Sequence, residues 1–317
     1  EDPPREYLVA LREFTKKNKT NEILKYSAGS IESWSPTNLN DPDQVVSNAI
    51  SIINTNKKTI IQGPPGTGKT YLVAELCDYF LGKNMRVCIS ALTHKALMEA
   101  AVKKGLSELC KQGKIHKTNV SADESVLIRD LQNHDVSTPI PRGELLLTTY
   151  YSLSKLLMKN DLHVHFDLLI IEEASQAFLT TIAGFSSLAN KVVVVGDFMQ
   201  LQPIVLEEKR ATNIDRNIST LIHGLRTYST NHEAISYRLI NSYRLTKKSA
   251  DQSGVFYDKS LKSMSKEKGI ILYGDHAGLF CPDGGASLFY LDNMDEGKMP
   301  RNAIDLILEI VREVQRK

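Results

Sequence analysis

The sequence predicts an α/β fold, a parallel sheet with helices on both faces, and three observations predict it. Short apolar runs recur at residues 59–62, 86–91, 145–149, 168–171 and 192–195. Helix-like stretches, including residues 70–81 and 95–109, lie between most of them. Strands alternating with helices build a parallel sheet whose faces are both covered. The octapeptide GPPGTGKT at residues 63–70 joins the first strand-like run to the first helix-like run. It fits G-x-x-x-x-G-K-[ST], a loop whose backbone N–H groups turn inward around phosphates.

The elements are justified in chain order. Residues 1–35 read as an N-terminal arm, and residues 36–229 as the first domain. Within that domain, Thr59-Ile60-Ile61-Gln62 suits a buried strand, and the apolar residues after Thr70 suit a helix whose N-terminus faces the phosphates. Residues 105–143 have a weaker pattern and a turn-like TPIPRG cluster, so they are expected to be an insertion on the core. From about residue 230 the character changes. Residues 235–243 and 287–291 read as strands and 303–314 as an amphipathic helix, which begins a second α/β unit over 230–317. The chain opens on Glu1 rather than methionine and is expected to be an excised segment.

Composition narrows the class. A length of 317 residues allows one large or two ordinary domains. Hydrophobic content of 42% and charged content of 24% are ordinary for a globular protein, and no apolar run is long enough for a membrane span. A net charge of +2 means that any basic track must be local. The four cysteines, Cys77, Cys88, Cys110 and Cys281, have neither metal-ligand nor disulfide spacing, which points to a reducing, intracellular compartment.

Each strand-like run is followed by a short polar motif: GPPGTGKT, LTHKA, TTYYS, EEASQ and GDFMQLQP. In open α/β sheets ligands bind beyond the carboxyl ends of the strands, so these motifs are expected on one edge. Gly63, Pro64, Gly66, Thr67 and Gly68 would cradle a nucleoside triphosphate, with Lys69 on the β- and γ-phosphate oxygens and the Thr70 hydroxyl on Mg²⁺. Glu172 and Glu173 end an apolar strand, and adjacent residues there point to different sides. Glu172 is assigned to the metal and Glu173 to deprotonating the attacking water. Gln200 is the candidate γ-phosphate sensor, because a neutral amide can hydrogen-bond phosphate or water without adding charge.

The series QGPPGTGKT, ALTHKA, TTYYSLS, IIEEASQ, VVGDFMQLQP and NSYRL, in this order, resembles superfamily 1 helicases over about residues 39–317. The likeness is to the group that contains the nonsense-mediated-decay RNA helicase and the Okazaki-fragment nuclease-helicase. The resemblance implies ATP as the nucleotide and a RecA-like fold, with the start of a second, truncated RecA-like domain after residue 229. It also implies that Gln44 reads the adenine edge, that Tyr243 stacks on the base, and that Arg244 reaches the γ-phosphate as an arginine finger. The family usually has Asp-Glu where this chain has Glu172-Glu173, a side chain one methylene longer at the metal position.

On the edge where such helicases hold a single strand stand Thr93, His94, Thr149 and Tyr150. Hydroxyls and helix N-termini suit sequence-independent phosphate contacts, and Tyr150 could offer a stacking face. The lysines at 103, 104, 111, 114 and 117 read as a solvated helix face. The resulting expectation is an ATP-driven helicase or translocase on single-stranded DNA or RNA, with protein partners reached through segments outside this chain. The competing expectation is an ATP-switched binding clamp that does not unwind. A small-molecule kinase fits poorly, since it needs neither Gln44 nor the Thr-Thr-Tyr strand end.

Overall fold

Short runs of Ile, Leu and Val with both faces apolar can be buried only in the interior of a covered sheet, and they form one. The computed structural model describes residues 5–27, 34–159, 163–205, 218–231, 235–272, 276–288 and 301–315. Nine parallel strands form the main sheet: β1 (Thr37–Leu39), β2 (Lys58–Gln62), β3 (Val87–Ala91), β4 (Ile115–Lys117), β5 (Gln132–Asn133), β6 (Leu145–Thr149), β7 (Phe166–Ile171), β8 (Ala189–Gly196) and β9 (Ile235–Leu239). Their order across the sheet is β1-β9-β2-β8-β7-β3-β6-β4-β5.

The period-2 alternation of a strand divides its residues between the two faces. Ile60, Cys88, Leu146, Leu169, Val192 and Val194 face one core cluster, which the helices Arg5–Lys17 and Leu179–Ser186 cover. Ile61, Ile89, Leu147, Ile170, Val193 and Val195 face the other, under the helices Val45–Thr55, Lys69–Gly82, His94–Ala101 and Lys104–Lys111. Because every pairing is parallel, all the strands deliver their carboxyl ends to one edge. Register aligns those ends: Gln62 lies opposite Gly196, Ser90 opposite Ile171, and Ala91 opposite Thr149.

Three boundaries differ from the sequence expectation. The N-terminal residues are no separate arm, because the helix Arg5–Lys17 buries Tyr7, Leu11 and Phe14 in the first core, where the Tyr7 hydroxyl pairs with Thr181 Oγ1 at 2.5 Å. Residues 105–143 are no insertion on the core. Their strands β4 and β5 continue the sheet beyond β6, and Leu106, Cys110 and Ile115 are buried in the second cluster. These strands are three and two residues long, too short for periodicity to announce them.

The third difference concerns the stretch 235–243, which divides into two strands. Its first part, β9, lies between β1 and β2 in the main sheet, with Tyr237 opposite Ile61 and Arg238 opposite Gln62. The chain therefore divides after Leu239 rather than after residue 229: one unit holds residues 1–64 and 68–239, the other residues 65–67 and 240–317. In the second unit β10 (Asn241–Ser242) pairs in parallel with β11 (Lys262–Ser263). Ala250, Tyr257 and Leu261 form its small core, beside the helix Lys247–Gly254, which Thr246 caps. The expected amphipathic helix spans Arg301–Gln315, and Glu309 and Glu313 flank His276 at 3.3 and 3.2 Å. The strand expected at 287–291 falls mostly outside the described residues, and residues 287–288 are not in a strand.

Candidate functional site

The loop after β2 is shaped by two glycines with positive φ. Gly66 (φ +74°) and Gly68 (φ +82°) hold left-handed conformations that L side chains rarely adopt. Gly68 is the N-cap, so the helix Lys69–Gly82 starts directly on the loop and aims its free N–H groups at whatever the loop encloses. Gly63 N–H donates to Gly196 O at 3.0 Å and ties the loop's first residue to the end of β8. The tip, residues 65–67, clusters with the second unit. There Ser242 Oγ donates to Pro65 O and Tyr243 N to Gly66 O, both at 2.9 Å. A Cβ added at Gly66 would come within 2.4 Å of Arg244 Cβ.

The ammonium of Lys69 donates to the Gly63 carbonyl at 2.5 Å. Thr70 Oγ1 donates to Glu172 Oε1 at 3.2 Å, so the loop hydroxyl and the first carboxylate after β7 meet. Glu172 is only 5% exposed. Burial and then the neighbouring Glu173 push its carboxyl up to about 7, while the Lys69 charge and the Thr70 hydrogen bond oppose the rise. Glu173 is likewise raised, first by burial, with the Thr93 hydrogen bond and Lys69 holding it down. One lysine thus acts on both carboxyls.

Glu173 sits at φ +54°, ψ +34°, a left-handed conformation uncommon for a residue with a Cβ. There its Oε2 accepts a hydrogen bond from Thr93 Oγ1 at 3.3 Å. Asp197 at the end of β8 organises the last loop. It accepts from Gln200 Nε2 at 3.1 Å and from Met199 N at 3.1 Å, and this leaves Gln200 exposed on the edge. Gln44 is exposed at the N-cap of the helix Val45–Thr55, without a side-chain cap bond. Tyr243 and Arg244 are exposed in the second unit.

The residues expected along a strand path divide. Thr93 and His94 are exposed at the start of the helix His94–Ala101, where Thr93 Oγ1 also accepts from Ala96 N. Thr149 is buried, and its hydroxyl caps the next helix by accepting from Ser152 N at 3.2 Å. Tyr150 corrects the expectation: it is 0% exposed, with its ring edge-on to Phe185. Its hydroxyl donates to the Glu172 carbonyl at 2.6 Å. A ring with no accessible face cannot stack on a base, so Tyr150 shapes the carboxylate's backbone instead. Tyr150→Phe is expected to cost about 1–2 kcal/mol, because a buried carbonyl loses its donor. Urea denaturation checks it. A weaker grip on oligonucleotide at unchanged stability would return Tyr150 to the strand.

The profile of a family described as AAA domain matches residues 42–216, more than half of the chain. The chain belongs to the AAA domain family. Curated relatives agree in kind. The DNA replication ATP-dependent helicase/nuclease dna2 of Schizosaccharomyces pombe is 28% identical over 253 residues, covering 74% of this chain and 17% of that protein. Its Saccharomyces cerevisiae counterpart is 24% identical over 222 residues, covering 68% and 14%. The DNA polymerase alpha-associated DNA helicase A of the same yeast is 25% identical over 283 residues, covering 70% and 39%. The likeness to superfamily 1 helicases expected from the motifs is borne out, over a chain that spans about a sixth of the first relative's length.

Beside this family framework stand buried polar residues that sequence reasoning missed. Gln62, the residue before the loop, donates to Asp197 Oδ1 at 3.1 Å and accepts from Arg238 Nε at 2.8 Å. Arg238 is itself buried, with its guanidinium 5.3 Å from the Trp34 ring. Lys117 is 0% exposed, which corrects its place in the solvated lysine face. The only signal available for Gln62 and Arg238 was a polar residue inside an apolar strand. Lys117 carried none, because it follows other lysines of the same spacing. No helix among the described residues is long and apolar enough to cross a membrane.

Proposed function

We propose that this chain is the ATP-hydrolysing core of a helicase or translocase that acts on single-stranded nucleic acid. The observation that carries the reading is the convergence of Lys69, Thr70, Glu172 and Glu173 at the carboxyl ends of β2 and β7. A phosphate loop, a hydroxyl and carboxylate side by side, and a second carboxylate with a raised pKa form the parts list of nucleotide hydrolysis. An ATP-dependent motor works where ATP is supplied, inside the cell.

In this reading Lys69 exchanges the Gly63 carbonyl for the β- and γ-phosphate oxygens. Thr70 Oγ1 and Glu172 fit Mg²⁺, which takes one or two protein oxygens and completes its shell with phosphates and water. Bound there, the ion would neutralise charge on the phosphates. Glu173 accepts the proton as the water oxygen bonds to the γ-phosphorus and the β–γ bridging bond breaks. Burial raises its carboxyl, the direction that makes it a stronger base. Gln200 senses the γ-phosphate, Gln44 and Tyr243 hold the adenine, and Arg244 closes on the phosphates from a second RecA-like unit. Thr93 and His94 contact the strand, with Thr149 fixing the helix start next to them.

The curated relatives are named for DNA replication, so single-stranded DNA is the first strand to try. Steady-state ATPase of the chain should rise several-fold with single-stranded oligonucleotide and less with duplex, measured at fixed salt because phosphate contacts weaken as salt rises. RNA of the same length separates the two strand chemistries. Equal turnover with and without any polymer would remove the motor reading and leave the nucleotide-switched clamp.

A further inference from the structure

Lys117 ends β4, and its ammonium has no exposed surface. Its acceptors are Glu124 Oε2 at 2.9 Å, the carbonyls of Asn119 at 3.2 Å and Thr118 at 3.3 Å, and His94 Nδ1 at 2.7 Å. Glu124 also accepts from Ser121 N at 2.9 Å, in a capping box that starts the helix Ala122–Leu127. A buried ammonium without such partners would be very costly, so this cage is what allows a lysine to stay at that position.

An ammonium is only a donor. The ring nitrogen facing it at 2.7 Å must therefore present a lone pair, and the imidazole proton must reside on Nε2. From this geometry we infer that Lys117 is a positioning residue, which pins the His94 ring and holds it in the neutral Nε2–H tautomer as a hydrogen-bond donor to a phosphodiester oxygen. A histidine on an exposed helix start would otherwise interconvert between tautomers and take up a second proton in mildly acidic solution. Protonation at Nδ1 would set two donors against each other at 2.7 Å. Burial of that side of the ring and the Lys117 charge lower its pKa, with Glu124 opposing. The arrangement gives a strand contact that is oriented and uncharged.

The tautomer follows from the cage alone, whereas its use on a phosphodiester rests on the strand reading above. The test separates the two. Nitrogen-15 NMR of the histidine-labelled chain should show His94 Nδ1 unprotonated and Nε2 protonated in the wild type and in Lys117→Arg. In Lys117→Met the two forms should mix. Should that variant fail to fold, Lys117→Met with Glu124→Gln removes both partners of the buried pair. Nδ1 protonated in the wild type, or a tautomer unmoved by loss of Lys117, would overturn the assignment.

Binding to a labelled thymidine oligonucleotide over a range of salt reads the second half. Lys117→Met should weaken affinity about two- to threefold, because only the share of rings still in the Nε2–H form is competent to donate. The slope of log affinity against log salt should not change, because a lysine that touches no phosphate releases no counterion. A slope shallower by about 0.7, the value for one phosphate fewer neutralised on a single strand, would make Lys117 a direct ligand and overturn the positioning role. No binding by the wild type would overturn the strand reading, and with it the phosphodiester role, while the NMR result still decides the tautomer.

Discussion

Lys69→Ala is expected to lower steady-state ATP turnover about 10²–10³-fold, the scale of removing one preorganised donor from developing charge. Two effects add. The β- and γ-phosphates lose the cation that the loop and the start of the helix Lys69–Gly82 place beside them. Glu172 and Glu173 also lose the positive charge that holds both carboxyls down, so their mutual repulsion and burial go less opposed. Turnover by coupled assay and binding of a fluorescent nucleotide together measure this. Turnover equal to the wild type would remove the phosphate-loop assignment whatever the sequence match.

Glu173→Gln should give a different profile: nucleotide affinity within about threefold of the wild type and turnover lower by about 10²–10⁴-fold, the usual contribution of a general base. The substitution is close to isosteric. The amide oxygen can still accept from Thr93 Oγ1, and the left-handed backbone at residue 173 is unchanged in its demands. What disappears is the ability to take a proton from water. Affinity falling in parallel with turnover would mean that Glu173 helps to hold the nucleotide or its metal, and the division of labour between Glu172 and Glu173 would have to be redrawn.

Much of the nucleotide site was legible because its chemistry is local. The order Gly-x-x-x-x-Gly-Lys-Thr needs only a strand before it and a helix after it, and Thr59–Gln62 and the run after Thr70 announce both. Glu172 and Glu173 were legible for a similar reason: two carboxylates directly after four apolar residues are conspicuous at a strand end. The strand path was harder. His94 and Tyr150 occupy equivalent places, each the first helical residue after neighbouring strands, yet one is exposed and the other is sealed under Phe185. Nothing in TTYYS distinguishes a stacking tyrosine from a core tyrosine, because that depends on a helix contributed by residues 179–186.

What the sequence by itself determined is therefore the alternation of strands and helices, the phosphate loop, and the polar motifs at successive strand ends. Each follows from short-range pattern: apolar period, glycine conformation, and chemistry within a few residues. What only the tertiary structure decided is who shares a sheet edge with whom. It drew β9 into the first sheet beside β2, made β4 and β5 an extension of that sheet, and buried Lys117 against His94 and Glu124. Pairing and burial are set by partners more than a hundred residues away for β9 and by the packing of whole layers for Lys117. A polar side chain carries no mark of either until those layers close.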